Sequence, residues 1–274
     1  MALNIWALSI VKAVGLDLPS VQLVTIRACT GLLLMLPWIL SRREAFVGLP
    51  DLKLHLLRVA FSAATLTASF FAIARMPFAL FTAIGFTRPI VMLIMAALLL
   101  KETIGRRRWI AVAIAFAGVL IAVEPGRIEA SLGLAATFLT VLLGTSAVIL
   151  TRRLKGAPTV VLMTFYTAGL TVLTAPFTAL NWQPVPAGTW PALIGIGLFA
   201  QCAQFCFVQA HKLGEAGFLG VLGYLTLVFS TASGYLLFGE VPTIRFWGGA
   251  VLILAAAMWV TLQRGGKAPV NARA

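Results

Sequence analysis

The polar side chains that interrupt long apolar runs are the ones placed to do chemistry. Arg88 stands midway along the run 78–100. A charge at such depth in a bilayer costs a few kcal/mol or more, so the side chain must face protein or a water-filled cavity. Two roles fit it: counter-ion to a solute carboxylate or phosphate, or a structural arginine bonded to helix carbonyls. Pro89 follows and weakens the local hydrogen-bond ladder, which predicts a kink beside the cavity. Gln201, Gln204 and Gln209 fall within an arc of roughly 140° on a helix, with His211 near one end of that face. Amides in lipid are unfavourable, so this face should turn inward, as interhelical glue or as solute contacts. Tyr224, Thr231 and Tyr235 form another stripe, and Trp6, Phe81, Phe86 and Phe205 could wall an apolar ligand.

Enzyme chemistry finds no footing. Glu102 and Glu240 resemble an acid/base pair by type, but they fall at the ends of two apolar runs half a chain apart. Each is expected to cap a helix or pair locally, for example with a nearby arginine. Cys29, Cys202 and Cys206 lie inside apolar runs without the His, Asp or Glu that would complete a metal site, so neither metal nor cofactor is expected. No nucleophile motif or phosphate-binding glycine loop is present.

The elements that must hold these residues follow from composition. Of 274 residues 61% are hydrophobic and 11% charged, and the mean hydropathy is +1.01. A soluble domain carries roughly 25% charge, which excludes an ordinary soluble enzyme. A spanning helix uses about 20 apolar residues, and ten segments can be drawn. They run over 2–14, 19–40, 54–74, 78–100, 109–123, 131–150, 158–180, 190–210, 217–238 and 246–262. The first is too short to cross about 30 Å of hydrocarbon at 1.5 Å per residue, so it is either partly re-entrant or, the favoured expectation, preceded by a piece upstream of Met1. Trp182 and Trp190 read as interfacial anchors.

The net charge of +13 could signal nucleic-acid binding, but the basic residues cluster between apolar runs. Fifteen of the 21 fall in the 2–3, 4–5, 6–7 and 8–9 connections and the C-terminal tail, with Arg58 counted in the 2–3 group. Three fall in the opposite loops, and Lys12, Arg27 and Arg88 lie in or near spans. Positive charge on the inner side therefore predicts both termini in the cytoplasm and no nucleic-acid partner.

The chain also repeats itself at an offset of 138. LLLKETIGRRRW at 98–109 aligns with LLFGEVPTIRFW at 236–247, pairing Glu102 with Glu240 and Trp109 with Trp247. Two halves, 1–130 and 131–274, thus hold five spans each, and an odd number gives them opposite orientation. Inverted repeats imply alternating access to a midplane site.

With Pro89, the LLLKE ending at Glu102, Trp109, Gly118, Glu240, and the Trp6, Lys12 and Arg27 of the first two spans, the chain resembles the drug/metabolite transporter superfamily of EamA type. Leu227 stands where the second copy would often carry proline. The resemblance implies an all-α membrane protein of ten transmembrane helices in a five-plus-five inverted-topology repeat. It further implies a secondary transporter, not an enzyme, in the bacterial inner membrane. Within that group it is similar to exporters of amino acids, including the YddG-type aromatic amino acid exporters. The expected function is outward movement of a small amphipathic amino acid by a monomer in the lipid bilayer. Arg88, Gln201, Gln204, Tyr224, Trp6 and Phe86 are the expected substrate contacts. Uptake of a larger nucleotide-like or vitamin-like metabolite is the alternative, and a membrane-embedded enzyme or lipid-handling protein the rival of another class.

Overall fold

The computed structural model describes residues 2–47, 51–85, 87–88, 91, 94–95, 106–123, 131–154, 156–213 and 225–264. All the regular structure in these residues is helical, as apolar runs in lipid require, because a helix satisfies its own backbone. In chain order the helices are α1 (Ala2–Val14), α2 (Ser20–Ser41), α3 (Leu52–Arg75), α4 (Phe78–Gly85), α5 (Arg106–Val123), α6 (Leu132–Arg153), α7 (Thr159–Leu180), α8 (Trp190–Leu213), α9 (Leu225–Phe238) and α10 (Ile244–Arg264). Five of them, α2, α3, α6, α7 and α8, contain apolar stretches of 20 or more residues and are long enough to cross a membrane. Short 3-10 turns precede α3 (Arg43–Phe46) and α8 (Ala187–Thr189).

Helix starts follow local chemistry. Pro19 and Pro158 stand immediately before α2 and α7 in extended conformation. Their fixed φ sets the chain direction, and the missing N–H costs nothing at a helix entrance. Both helices run 22 residues and carry a proline in the last third, Pro37 and Pro176. The kinship extends to α3 and α8, which are both 24 residues and start 138 positions apart, at Leu52 and Trp190. α5 and α10 also start 138 apart, at Arg106 and Ile244.

Packing follows the same relation. α3 lies along α6 as α1 lies along α8, and α7 contacts α3 as α2 contacts α8. α4 touches α6 as α1 touches α9, while α2–α7, α4–α9 and α5–α10 pair each helix with its own counterpart. Three apolar clusters are found among the described residues. The largest joins α1, α2, α3, α4, α7 and α8 around Phe78, Leu170 and Leu193; the second joins α3, α4, α6 and α10 around Ile84, Val141 and Ile253; the third is a small contact of Met35, Met163 and Val208.

Small residues allow the close crossings. A Cβ at Gly197 of α8 would lie 2.5 Å from the Thr30 Cβ of α2, and one at Gly169 of α7 would lie 2.4 Å from Val59 Cγ1 of α3. Val59 and Gly197 are 138 positions apart, and Thr30 and Gly169 are 139 apart. The same crossing therefore occurs twice, with the glycine on α8 in one and on α7 in the other. Hydroxyls add polar ties: Thr25 of α2 lies 2.8 Å from Thr174 and 2.7 Å from Thr178 of α7.

One assignment changes. Arg58, counted with the basic residues of the 2–3 connection, lies seven residues into α3 and is 2% exposed. Helical continuation from Leu52 draws it below the surface, which lowers the inner-side count by one and leaves its sign. α5 likewise begins at Arg106, so Arg106, Arg107 and Arg108, counted with the 4–5 connection, belong to the first turn of the helix.

Replacing Gly197 or Gly169 by Leu should force α2–α8 or α3–α7 apart. Overpacking of this kind costs about 1–3 kcal/mol, and both variants should melt several degrees below the parent in detergent. Unchanged melting would mean that these crossings are looser than described.

Candidate functional site

The buried cations and the polar groups around them define what the bundle interior can do. Arg27 of α2 is 7% exposed, and its Nη2 donates to the Tyr166 hydroxyl at 3.3 Å. Arg58 donates from Nε to Thr151 Oγ1 at 2.8 Å and from Nη1 to the Leu162 carbonyl at 3.1 Å. The guanidinium carbons lie 5.6 and 5.8 Å from the Tyr166 ring centroid. One aromatic ring thus holds two arginines in place, and cation–π attraction offsets part of their desolvation. His55, one turn before Arg58 and fully buried, stacks 4.6 Å from Phe165; neither of its ring nitrogens has a hydrogen-bond partner among the described residues.

Arg88 is different. It is exposed, and its Nη2 would lie 3.6 Å from a Cβ placed on Gly144 of α6, beside Thr65 of α3. The guanidinium is in van der Waals reach of α6 at Gly144, where the tighter neighbour is Thr65 Cγ2 at 3.2 Å from the same Cβ position. Thr137 and Thr140, on the same helix, return their hydroxyls to the carbonyls of Gly133 and Ala136. That stripe therefore packs as small hydroxylated residues do between helices.

The glutamine face of α8 is divided. Gln201 is buried: Nε2 lies 2.7 Å from Met35 Sδ and 3.4 Å from Thr167 Oγ1, and Oε1 would lie 2.6 Å from a Cβ at Gly31. Its amide is engaged between α2, α7 and α8. Gln204 and Gln209 are half-buried, while Trp6 keeps 55% of its surface exposed. Phe205 meets the edge of Trp38 at 6.0 Å. Phe86, Pro89, Tyr224 and Glu102 lie outside the described residues, so Arg88, Gln201, Gln204 and Trp6 are the expected contacts the structure places. It brings Gln201 together with α2 and α7, and Arg88 with α3 and α6, at separate positions in the bundle.

Residue spacing missed the charge pair that spans the two halves of the sequence. Lys12 Nζ lies 2.8 Å from Glu240 Oε1 and donates to the Met76 carbonyl at 2.7 Å. Glu240 caps a helix as expected: its Oε2 accepts the Phe78 N–H, in the first turn of α4, at 2.8 Å. It also reaches a lysine 228 positions earlier. The sequence signal was present in Lys12, a lone cation near the end of an apolar helix, but nothing in it named the partner.

Apolar helices long enough to cross a bilayer, glycine-mediated crossings and buried arginines with no carboxylate partner among the described residues define a multi-pass membrane protein. The pattern of the EamA-like transporter family matches residues 1–123 and 128–262, and the chain belongs to that family. Similar curated proteins include a riboflavin transporter of Vibrio cholerae, 26% identical over 258 residues, covering 91% of this chain and 85% of the relative. A pseudopaline exporter of Pseudomonas aeruginosa is 27% identical over 263 residues, covering 94% and 92%. An S-adenosylmethionine uptake transporter of Rickettsia bellii is 24% identical over 250 residues, covering 91% and 86%. A crystal structure shares the fold at a TM-score of 0.69 and 20% identity, over 97% of this chain and 96% of that chain. These relatives include uptake and export proteins, and none of the three is named for amino acids.

Tyr166 generates a stability test. Tyr166→Phe removes one hydrogen bond to Arg27 and should cost about 1 kcal/mol. Tyr166→Ala also removes the ring between two cations and should cost about 3 kcal/mol or more. Thermal unfolding in detergent checks the order, which fails if the two variants melt together.

Proposed function

We propose that this chain is a secondary transporter that moves a small polar metabolite by alternating access between residues 1–130 and 131–274. The observation that carries this reading is the duplicated crossing of Thr30 with Gly197 and of Val59 with Gly169, within a packing scheme whose main contacts recur when each helix is exchanged for the one five places on. Two related units of opposite polarity can exchange conformations and turn one site toward either side. The basic clusters support an orientation with both termini in the cytoplasm of a bacterial inner membrane.

Arg88 is the proposed counter-ion for a carboxylate or phosphate of the solute. Its support is a guanidinium set against Gly144 of α6, at a depth where a charge cannot face lipid cheaply. Gln204 and Tyr224 are proposed to contact the solute, with Trp6 and Phe86 as apolar walls. Gln201 is proposed to position this face, since its amide is already engaged with Met35 and Thr167.

The names of the relatives favour a vitamin-like or nucleoside-like metabolite over the aromatic amino acid expected from the sequence. A site built from one arginine, an amide and aromatic rings would accommodate either, because a flat ring system with a polar tail presents similar groups. Direction is set by the gradient and coupling rather than by these contacts.

Proteoliposomes loaded with buffer should accumulate one of a labelled panel of riboflavin, S-adenosylmethionine and amino acids, measured with and without a pH gradient. Arg88→Ala, Gln204→Ala and Tyr224→Ala should each lower flux at least about tenfold if each contributes one charge-assisted or buried polar contact. Expression and melting should stay at parental levels. Parental flux in all three variants would sink the site, and no flux for any solute would count against this substrate range.

A further inference from the structure

The Lys12–Glu240 pair does more than a surface salt bridge can. Lys12 is 11% exposed and Glu240 19%, so both are largely withdrawn from water. The ammonium is directed at three acceptors, Glu240 Oε1 at 2.8 Å and the carbonyls of Met76 at 2.7 Å and Ile73 at 3.4 Å, with the Phe238 ring 5.3 Å away. The other carboxylate oxygen is fixed by the Phe78 N–H. A single ion pair thereby joins the end of α1, the α3–α4 turn and the α9–α10 turn.

The chain around it is shaped to fit. Gly239 takes φ +64°, which turns Glu240 back over α9, and the Glu240 N–H bonds to the Gly234 carbonyl at 3.0 Å. A Cβ at Gly234 would lie 2.7 Å from Glu240 Oε2, so the carboxylate occupies the space a side chain would fill. Ser9, three residues before Lys12 on α1, and Thr231 of α9 are buried hydroxyls that find no hydrogen-bond partner among the described residues. The two helices that the pair ties together thus each carry a buried polar group.

α1 also closes on α3 at this end, where a Cβ on Gly15 would lie 2.8 Å from the Ala74 Cβ. Under the five-helix exchange this contact corresponds to α6 with α8, a pair that does not pack comparably among the described residues.

We infer that Lys12 and Glu240 form a latch that shuts the transport path at this end of the bundle and parts once in each cycle. The inference rests on the alternating-access reading and adds the residues that hold one of its states. Breaking a largely buried ion pair leaves an uncompensated charge, so the closed state loses its advantage when one partner is neutralised. A plain charge swap would not restore it. A glutamate at 12 would face the carbonyls of Met76 and Ile73, and a lysine at 240 would face the Phe78 N–H.

The test uses the full chain in proteoliposomes, with Cys29, Cys202 and Cys206 replaced by serine and Ser9→Cys as reporter. A second protein carrying Asp17→Cys, an exposed residue of the α1–α2 turn, marks which membrane face the latch occupies. A membrane-impermeant thiol reagent is applied to each face in turn. Glu240→Gln keeps an acceptor for the Phe78 N–H and should raise Ser9→Cys labelling from the latch face about tenfold, as a state of roughly 0.1–10% population becomes common. Labelling from the opposite face should fall in step. Lys12→Gln should do the same and add little in the Glu240→Gln background. No change, or a rise from both faces, overturns the latch. Equal labelling of the parental reporter from both faces would instead overturn alternating access itself.

Discussion

A polar group inside hydrocarbon has no water to fall back on, and the rest of this molecule is arranged around that constraint. Backbone groups retreat into helices, and helices gain little from hiding apolar surface because lipid is as apolar as leucine. Close contact and internal polar bonds must hold the bundle instead. Gly169 and Gly197 remove the side chains that would keep α3 from α7 and α2 from α8. Thr25, Thr174 and Thr178 then bond across the gap that small residues leave between α2 and α7.

The cations meet the constraint in three ways. Lys12 takes a carboxylate and two carbonyls from other segments. Arg27 and Arg58 share the ring of Tyr166 and are satisfied by hydroxyls and a carbonyl. Arg88 is exposed, with its guanidinium against a glycine. The first arrangement can open by separating segments, the second resists separation, and the third is the one proposed to meet a solute. A transporter needs all three kinds of behaviour, since one part must move, another must stay, and a third must bind.

The duplicated crossings show how a repeat can persist while its residues diverge. Thr30 against Gly197 and Gly169 against Val59 keep one geometry with the small residue on a different partner. Only the sum of the two side chains is constrained at such a point, so either helix can carry the glycine. This freedom leaves the halves similar in helix length and start, as in α3 and α8, and dissimilar in most side chains.

The sequence by itself determined that the chain is helical and where most of the described helices begin and end, and it suggested that two halves are related. Apolar runs, prolines before α2 and α7 and the paired glutamates carry that information locally, because a helix in lipid depends on its own residues. It also singled out Arg88 and the α8 glutamines, since a polar group in an apolar run is conspicuous wherever it points. What it left open is direction and partnership. Whether Gln201 faces a solute or Met35, whether Arg58 belongs to a loop or a core, and which side chain meets Lys12 are decided by helix rotation and crossing. Those depend on contacts between residues more than a hundred positions apart, such as Lys12 with Glu240, and only the tertiary structure brings them within bonding distance.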